Sequence, residues 1–145
     1  MSEYGDIRAA LEAQLATVAG IPDSAHRAGE NTEFRGTIAE TWIRSRLGYG
    51  IERRLTLPAR SARVQKDGTW RLLVQFPLNT GTAAADTLVQ AIVDAFPDGQ
   101  TLVSGSTTVR LDGTRRFGGG RDIDESSYVV PIDIRWHVFT TSTLA

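Results

Sequence analysis

The sequence predicts an α+β fold, a two-layer sandwich of two helices packed on a mostly antiparallel sheet of four or five strands. Two stretches, residues 3–19 and 82–96, repeat apolar side chains at three- and four-residue spacing, as one face of a helix does. Several others alternate apolar and polar residues, the mark of a half-buried strand. In chain order these give helix, strand, hairpin, helix, strand, strand, which is the pattern of helices layered on one sheet.

In the first helix Ile7, Leu11, Leu15 and Val18 make one stripe, Ser2 is placed to cap it, and Gly20 and Pro22 end it. Residues 22–37 are polar and turn-rich, with Phe34 as their buried anchor. Thr41–Leu47 alternates as a strand with Trp42, Arg44 and Arg46 on a wet, basic face. Residues 48–60 show no sustained period and read as a mobile loop or loosely paired arm. Asp67-Gly68 then signals a two-residue hairpin between strands 61–66 and 69–76, the second with Trp70, Leu72, Val74 and Phe76 on one face. The second helix carries Ala85, Leu88, Val89, Ile92 and Phe96 inward, and Pro97 and Gly99 stop it. A strand follows within 101–111. Residues 112–126 form a Gly-rich mobile loop. The last and strongest strand, 127–140, alternates Val130, Ile132, Ile134, Trp136 and Val138. Pro131 near its start marks an edge or a bulge. No linker or repeat divides residues 1–145, so they form a single domain.

The chain has 145 residues, no cysteine and a formal net charge of −1. Disulfides, thiol nucleophiles and Cys-based zinc sites are thereby excluded, and no overall basic field draws the chain to nucleic acid or membrane. The first residues carry Glu3, Asp6 and Glu12 and lack the basic start and apolar run of a signal peptide, so a cytoplasmic origin is expected. No apolar run approaches bilayer length.

No catalytic, cofactor-binding or metal site emerges, and the chain reads as no enzyme. Asn79–Thr82 sits between strand and helix, where a phosphate loop sits, but it offers one glycine and no lysine, fewer than half of the required positions. The plain reading is a turn at Gly81 and a helix capped by Thr82. Val103-Ser104-Gly105-Ser106 lacks the first glycine of a nucleophile elbow. His26 lies in a polar loop, and His137 reads as solvated or paired with a neighbour. Asp122, Asp124 and Glu125 lack the positions of a calcium loop and read as solvated.

Charge is the remaining signal. Of 16 basic residues, eight fall between Arg44 and Arg71 against two acids, a local +6 in a chain of −1. A second group comprises Arg110, Arg115, Arg116 and Arg121. Arg44, Arg46, Arg53, Arg54, Arg60, Arg63, Arg115 and Arg116 are the candidate interface residues. The readings are a solvated face, a nucleic-acid track along Arg44–Arg71, or a surface that docks an acidic patch of another subunit. The aromatic residues do not interleave with the arginines along the chain, as stacking platforms for bases would. Segregated charge suits head-to-tail association of copies, which can close into a ring.

Several stretches together resemble the phage tail terminator-like family. These are the opening helix IRAALEAQLATVAGI, then GENTEF, TWIRSRL, the long segment GTWRLLVQFPLNTGTAAADTLVQAIVDAFPDG, and VPIDIRWHVF. The long segment, with its strand, Pro-x-x-x-Gly-Thr turn, helix and closing Phe-Pro, is the most specific. The resemblance implies a structural virion protein, a hexameric ring that caps the tail tube, stops its polymerisation and presents a surface for head attachment. Its implied partners are further copies of itself, the tube protein and the head–tail connector, with DNA passing through the ring. The implied location is the virion tail, assembled in the bacterial host cytoplasm. Another head–tail connector or tube assembly protein is the alternative.

Overall fold

A computed structural model describes residues 2–22, 26–29, 40–55, 61–78, 81–121 and 127–143. The elements in order are α1 (Glu3–Leu15), β1 (Arg27–Ala28), β2 (Trp42–Arg54), β3 (Ser61–Phe76), α2 (Ala83–Ala95), β4 (Thr101–Ser104), β5 (Thr107–Arg116), β6 (Gly120–Arg121) and β7 (Tyr128–Thr143). They form one sheet in the order β1-β2-β3-β7-β5-β4, with β6 paired on β7. β1 runs parallel to β2 and every other pairing is antiparallel.

This corrects the expected two-layer sandwich on four or five strands. The protein is mostly β, and its mixed sheet curls into a half-barrel with two helices. The cause lies in strand length. Asp67-Gly68 does not turn: β3 runs through it for 16 residues, with Asp67 opposite His137 and Gly68 opposite Trp136. Residues 48–54 and 112–116 belong to β2 and β5. Long strands accumulate twist, and bulges between Tyr49 and Glu52 and between Leu111 and Thr114 add local bends.

Helix α1 ties together distant parts of this curl. At one end the Tyr4 hydroxyl donates to the Leu47 carbonyl of β2, and Lys66 of β3 reaches Glu3 at 3.1 Å. Three residues along the helix, the hydroxyl of Thr107 in β5 donates to the buried Asp6 carboxylate at 3.1 Å. The intervening turn passes so close that a side chain at Gly105, where φ is +58°, would press against Asp6.

The core fills the space between helices and sheet. Ile7, Leu11, Leu15, Leu72, Val89, Ile92, Ile132 and Ile134 are all buried there, and Trp70 meets Phe96 edge-on with centroids 6.1 Å apart. The helical stripes thus lie where their spacing places them. Ser2 accepts the Gly5 amide at 3.1 Å as a true cap, although α1 ends at Leu15 and turns continue to Gly20. Thr82 occupies the cap position of α2, but its side chain makes no capping bond; its backbone carbonyl accepts from Asp86 at 2.8 Å. Gly81 has φ +77°, which explains a glycine there. Pro131 lies in a central strand, opposite Leu73. Its carbonyl accepts from Phe117, just beyond the end of β5, so its missing amide hydrogen faces that same side, where β5 has ended, and the ladder to β3 loses nothing. Phe34, Asn79, Thr80 and the acidic run at 122–125 lie outside the described residues.

Candidate functional site

Pairing register decides which charges share a face. In β2, Arg44 lies opposite Leu73 and Arg46 opposite Arg71; beyond the bulge Arg53 lies opposite Gln65. Residues 63, 65, 67, 69, 71 and 73 of β3 therefore point away from the helices, as do their partners 131, 133, 135, 137 and 139 in β7. On β5, Arg110 opposite His137 and Arg115 opposite Asp133 join them. Among the described residues, eight arginines and only Asp67, Asp112 and Asp133 share this outer face, a formal +5. Since the whole chain is −1, everything else sums to −6.

Five of the eight candidate interface residues, Arg44, Arg46, Arg53, Arg63 and Arg115, meet on this face. Arg116 does not. It stands opposite Ile132 on the helix side and binds Asp86 of α2 at 2.6 Å. The backbone of Arg54 pairs with Val64, but its side chain and all of Arg60 lie outside the described residues. Lys66, counted with the basic segment, turns inward to Glu3.

Four of these arginines rest on aromatic rings, and one of them is also held by a carboxylate. Arg71 makes a two-pronged bond to Asp133, at 2.7 and 2.9 Å, and this carboxylate raises the already high pKa of its guanidinium. The ring of Phe117 lies under both Arg115, at 4.8 Å, and Arg71, at 5.5 Å. The ring of Phe139 lies under Arg63, at 4.3 Å, and Arg110, at 5.7 Å. His137 bonds both Asp112 oxygens at 2.7 Å through Nδ1 and meets Phe139 edge-on, so it is paired with a neighbour. Arg135 donates to the Asp112 carbonyl at 3.4 Å.

Arg135 and the two phenylalanine platforms were missed in the sequence. Arginine and aromatic do interleave, but across strands rather than along the chain. The available signal was the outward half of β7, where Asp133, Arg135, His137 and Phe139 alternate with Ile132, Ile134, Trp136 and Val138. Trp42, expected on the wet face, is only 6% exposed and packs its ring 4.9 Å from that of His26.

Two further surfaces accompany the basic face. The outer half of β2 exposes Tyr49 and Ile51, and Leu55 follows. Along α2 a shallow groove of about 550 Å³ is lined by Asp86, Thr87, Gln90, Ala91, Asp94 and Arg116. Among the described residues no group of three or more His, Asp or Glu is placed to hold a metal ion, and no helix is long and apolar enough to cross a membrane.

Solved structures share this fold. One aligns with a TM-score of 0.66 at 22% identity, covering 91% of this chain and 92% of the other. A chain from the virion of a native gene transfer agent particle aligns with a TM-score of 0.53 at 19% identity, covering 94% and 96%. No curated protein matches the sequence. The family model for the phage tail terminator protein matches residues 6–136, most of the half-barrel with α2 and all but the start of α1, and the chain therefore belongs to the phage tail terminator family, whose members are structural proteins of the tail.

Proposed function

We propose that copies of this protein close into a ring, a hexamer in keeping with its family, on the last ring of the tail tube. There the ring ends tube polymerisation and turns a second surface to the head–tail connector, with DNA passing through its centre. Assembly takes place in the host cytoplasm, and the product stays in the virion. The observation that carries this reading is the family match over residues 6–136. The charge division between the outer sheet face and the rest of the chain supports it, because unlike faces suit head-to-tail contacts that close by rotation. Capping needs no chemistry: a ring that binds the tube end and offers no further tube-like edge stops growth by geometry.

Deletion of the gene tests the proposal. Tails far longer than normal, seen by negative-stain microscopy, are expected. Tails of normal length overturn it, and complete loss of tails reassigns the protein to the tube.

A further inference from the structure

Among the described residues the outer sheet face carries +5 on four neighbouring strands, β2, β3, β7 and β5, and no second such face exists among the described strands. Two identical basic faces repel each other, so this one does not pair with itself. The chain provides a complement. From Ala83 to Gln100 there is no lysine or arginine, and Asp86, Asp94 and Asp98 are all exposed. Asp86 and Asp94 line the open groove along α2, where Gln90 donates to Asp94 at 2.8 Å. Asp86 is answered by Arg116 of its own chain, whereas Asp94 is met by an uncharged amide.

Resting on the ring reading above, we infer that the basic outer sheet face of one copy docks on the α2 groove and the acidic turn beyond it in the next, centred on Arg46 and Arg53 against Asp94 in the groove and Asp98 in the turn. Both surfaces are present once per chain and are unlike, so each copy offers one of each and the contact repeats with a single sense. The occupant is a second copy and not nucleic acid. The ring faces of Phe117 and Phe139, which bases would need for stacking, are already covered by arginine. Asp67, Asp112 and Asp133 stand within the face, where a phosphate backbone would meet them as like charges, while a protein surface with amides and hydroxyls such as Gln90 and Thr87 accommodates them.

Charge exchange tests the contact. Arg46→Glu with Arg53→Glu alters one face, and Asp94→Lys with Asp98→Lys alters the other. All four positions are exposed, so both variants keep the wild-type circular dichroism spectrum. Sedimentation velocity of the wild type, each variant and their equal mixture is compared, with isolated tail tubes added in a second series. The expected result is association of the wild type, about tenfold or more weaker in each variant alone, and regained in the mixture, where reversed faces again meet opposite charge. Wild-type association that neither variant disturbs overturns the contact and leaves the ring standing. A mixture as weak as its components also overturns the contact. A wild type that stays monomeric even with tubes overturns contact and ring together. A gel-shift arm with duplex DNA at low salt covers the remaining outcome. Retardation lost only in the arginine variant, with association unchanged, assigns the face to DNA instead.

Discussion

Trp136 lies directly over Gly68. A Cβ at Gly68 would stand 2.2 Å from Cζ2 of Trp136 and 2.4 Å from the carbonyl oxygen of Gly48, both far inside contact distance. Trp136 is fully buried and Gly48 is in β2, so the clash has a ring on one side and backbone on the other. Gly68→Ala is expected to destabilise the fold by at least ~1–3 kcal/mol, read as a fall in the urea midpoint at unchanged slope. Gly118→Ala, with open space around its site, is the control and should move the midpoint little. Equal midpoints for the two variants would show that Trp136 can retreat.

The same pair explains the largest misreading of the sequence. Asp-Gly between alternating stretches is a strong hairpin signal, yet this glycine is needed because another strand's tryptophan crosses its backbone. Local chemistry does not tell the two uses apart; only the partner strand does. Where burial alone dictated the pattern, the sequence was legible. The stripes of α2 and the alternation of β7 stand as their spacing implies, because one face of each is sealed by core. The outer half of β2 and the end of β5 carry polar residues on both sides, so no period marks them as strands. The basic face was legible as scattered arginines, while its unity came from register between strands up to 91 residues apart, as with Arg44 and Arg135.

Ile92 tests the interior. It is fully buried in α2, in the same cluster as Trp70, Ile134 and Trp136. Ile92→Ala should cost ~2–5 kcal/mol in chemical denaturation, since it empties space in a fully buried core that closes up only in part. A loss under ~1 kcal/mol would mean that the α2 interface repacks freely.

Tyr49 couples stability to alkaline pH. Its hydroxyl donates to Glu3 at 3.1 Å, and its ring lies 5.1 Å from Tyr4 and 5.5 Å from Trp136. Partial burial, and after it the Glu3 carboxylate, push the phenol well above its ordinary range. The folded chain therefore keeps a proton that the unfolded chain loses near pH ~10, and stability falls as pH rises past that value. At pH 8 Tyr49→Phe should cost roughly 0.5–1 kcal/mol, limited by the ring's 44% exposure. The difference from wild type should shrink between pH 8 and pH 11, because the variant lacks the alkaline loss. Urea midpoints at both pH values decide it: a gap that widens with pH refutes the sign.

Asp133 anchors the basic face. Its carboxylate takes both prongs of Arg71 from a position only 17% exposed, while Arg71 is 51% exposed and stacked on Phe117. Asp133→Ala removes the acid and leaves Arg71 facing Arg115 over one ring, so the face becomes more positive and less ordered. Arg71 is half exposed, so the pair is screened by solvent and its loss should cost only ~0.5–1 kcal/mol, less at high salt. The effect on assembly should be larger than that on stability. With its arginines no longer held at fixed spacing, the face should associate more weakly even though its net charge has risen. Sedimentation velocity alongside urea denaturation separates the two effects. Stronger association with unchanged midpoint would show that charge alone, and not the arrangement of the guanidinium groups, governs docking.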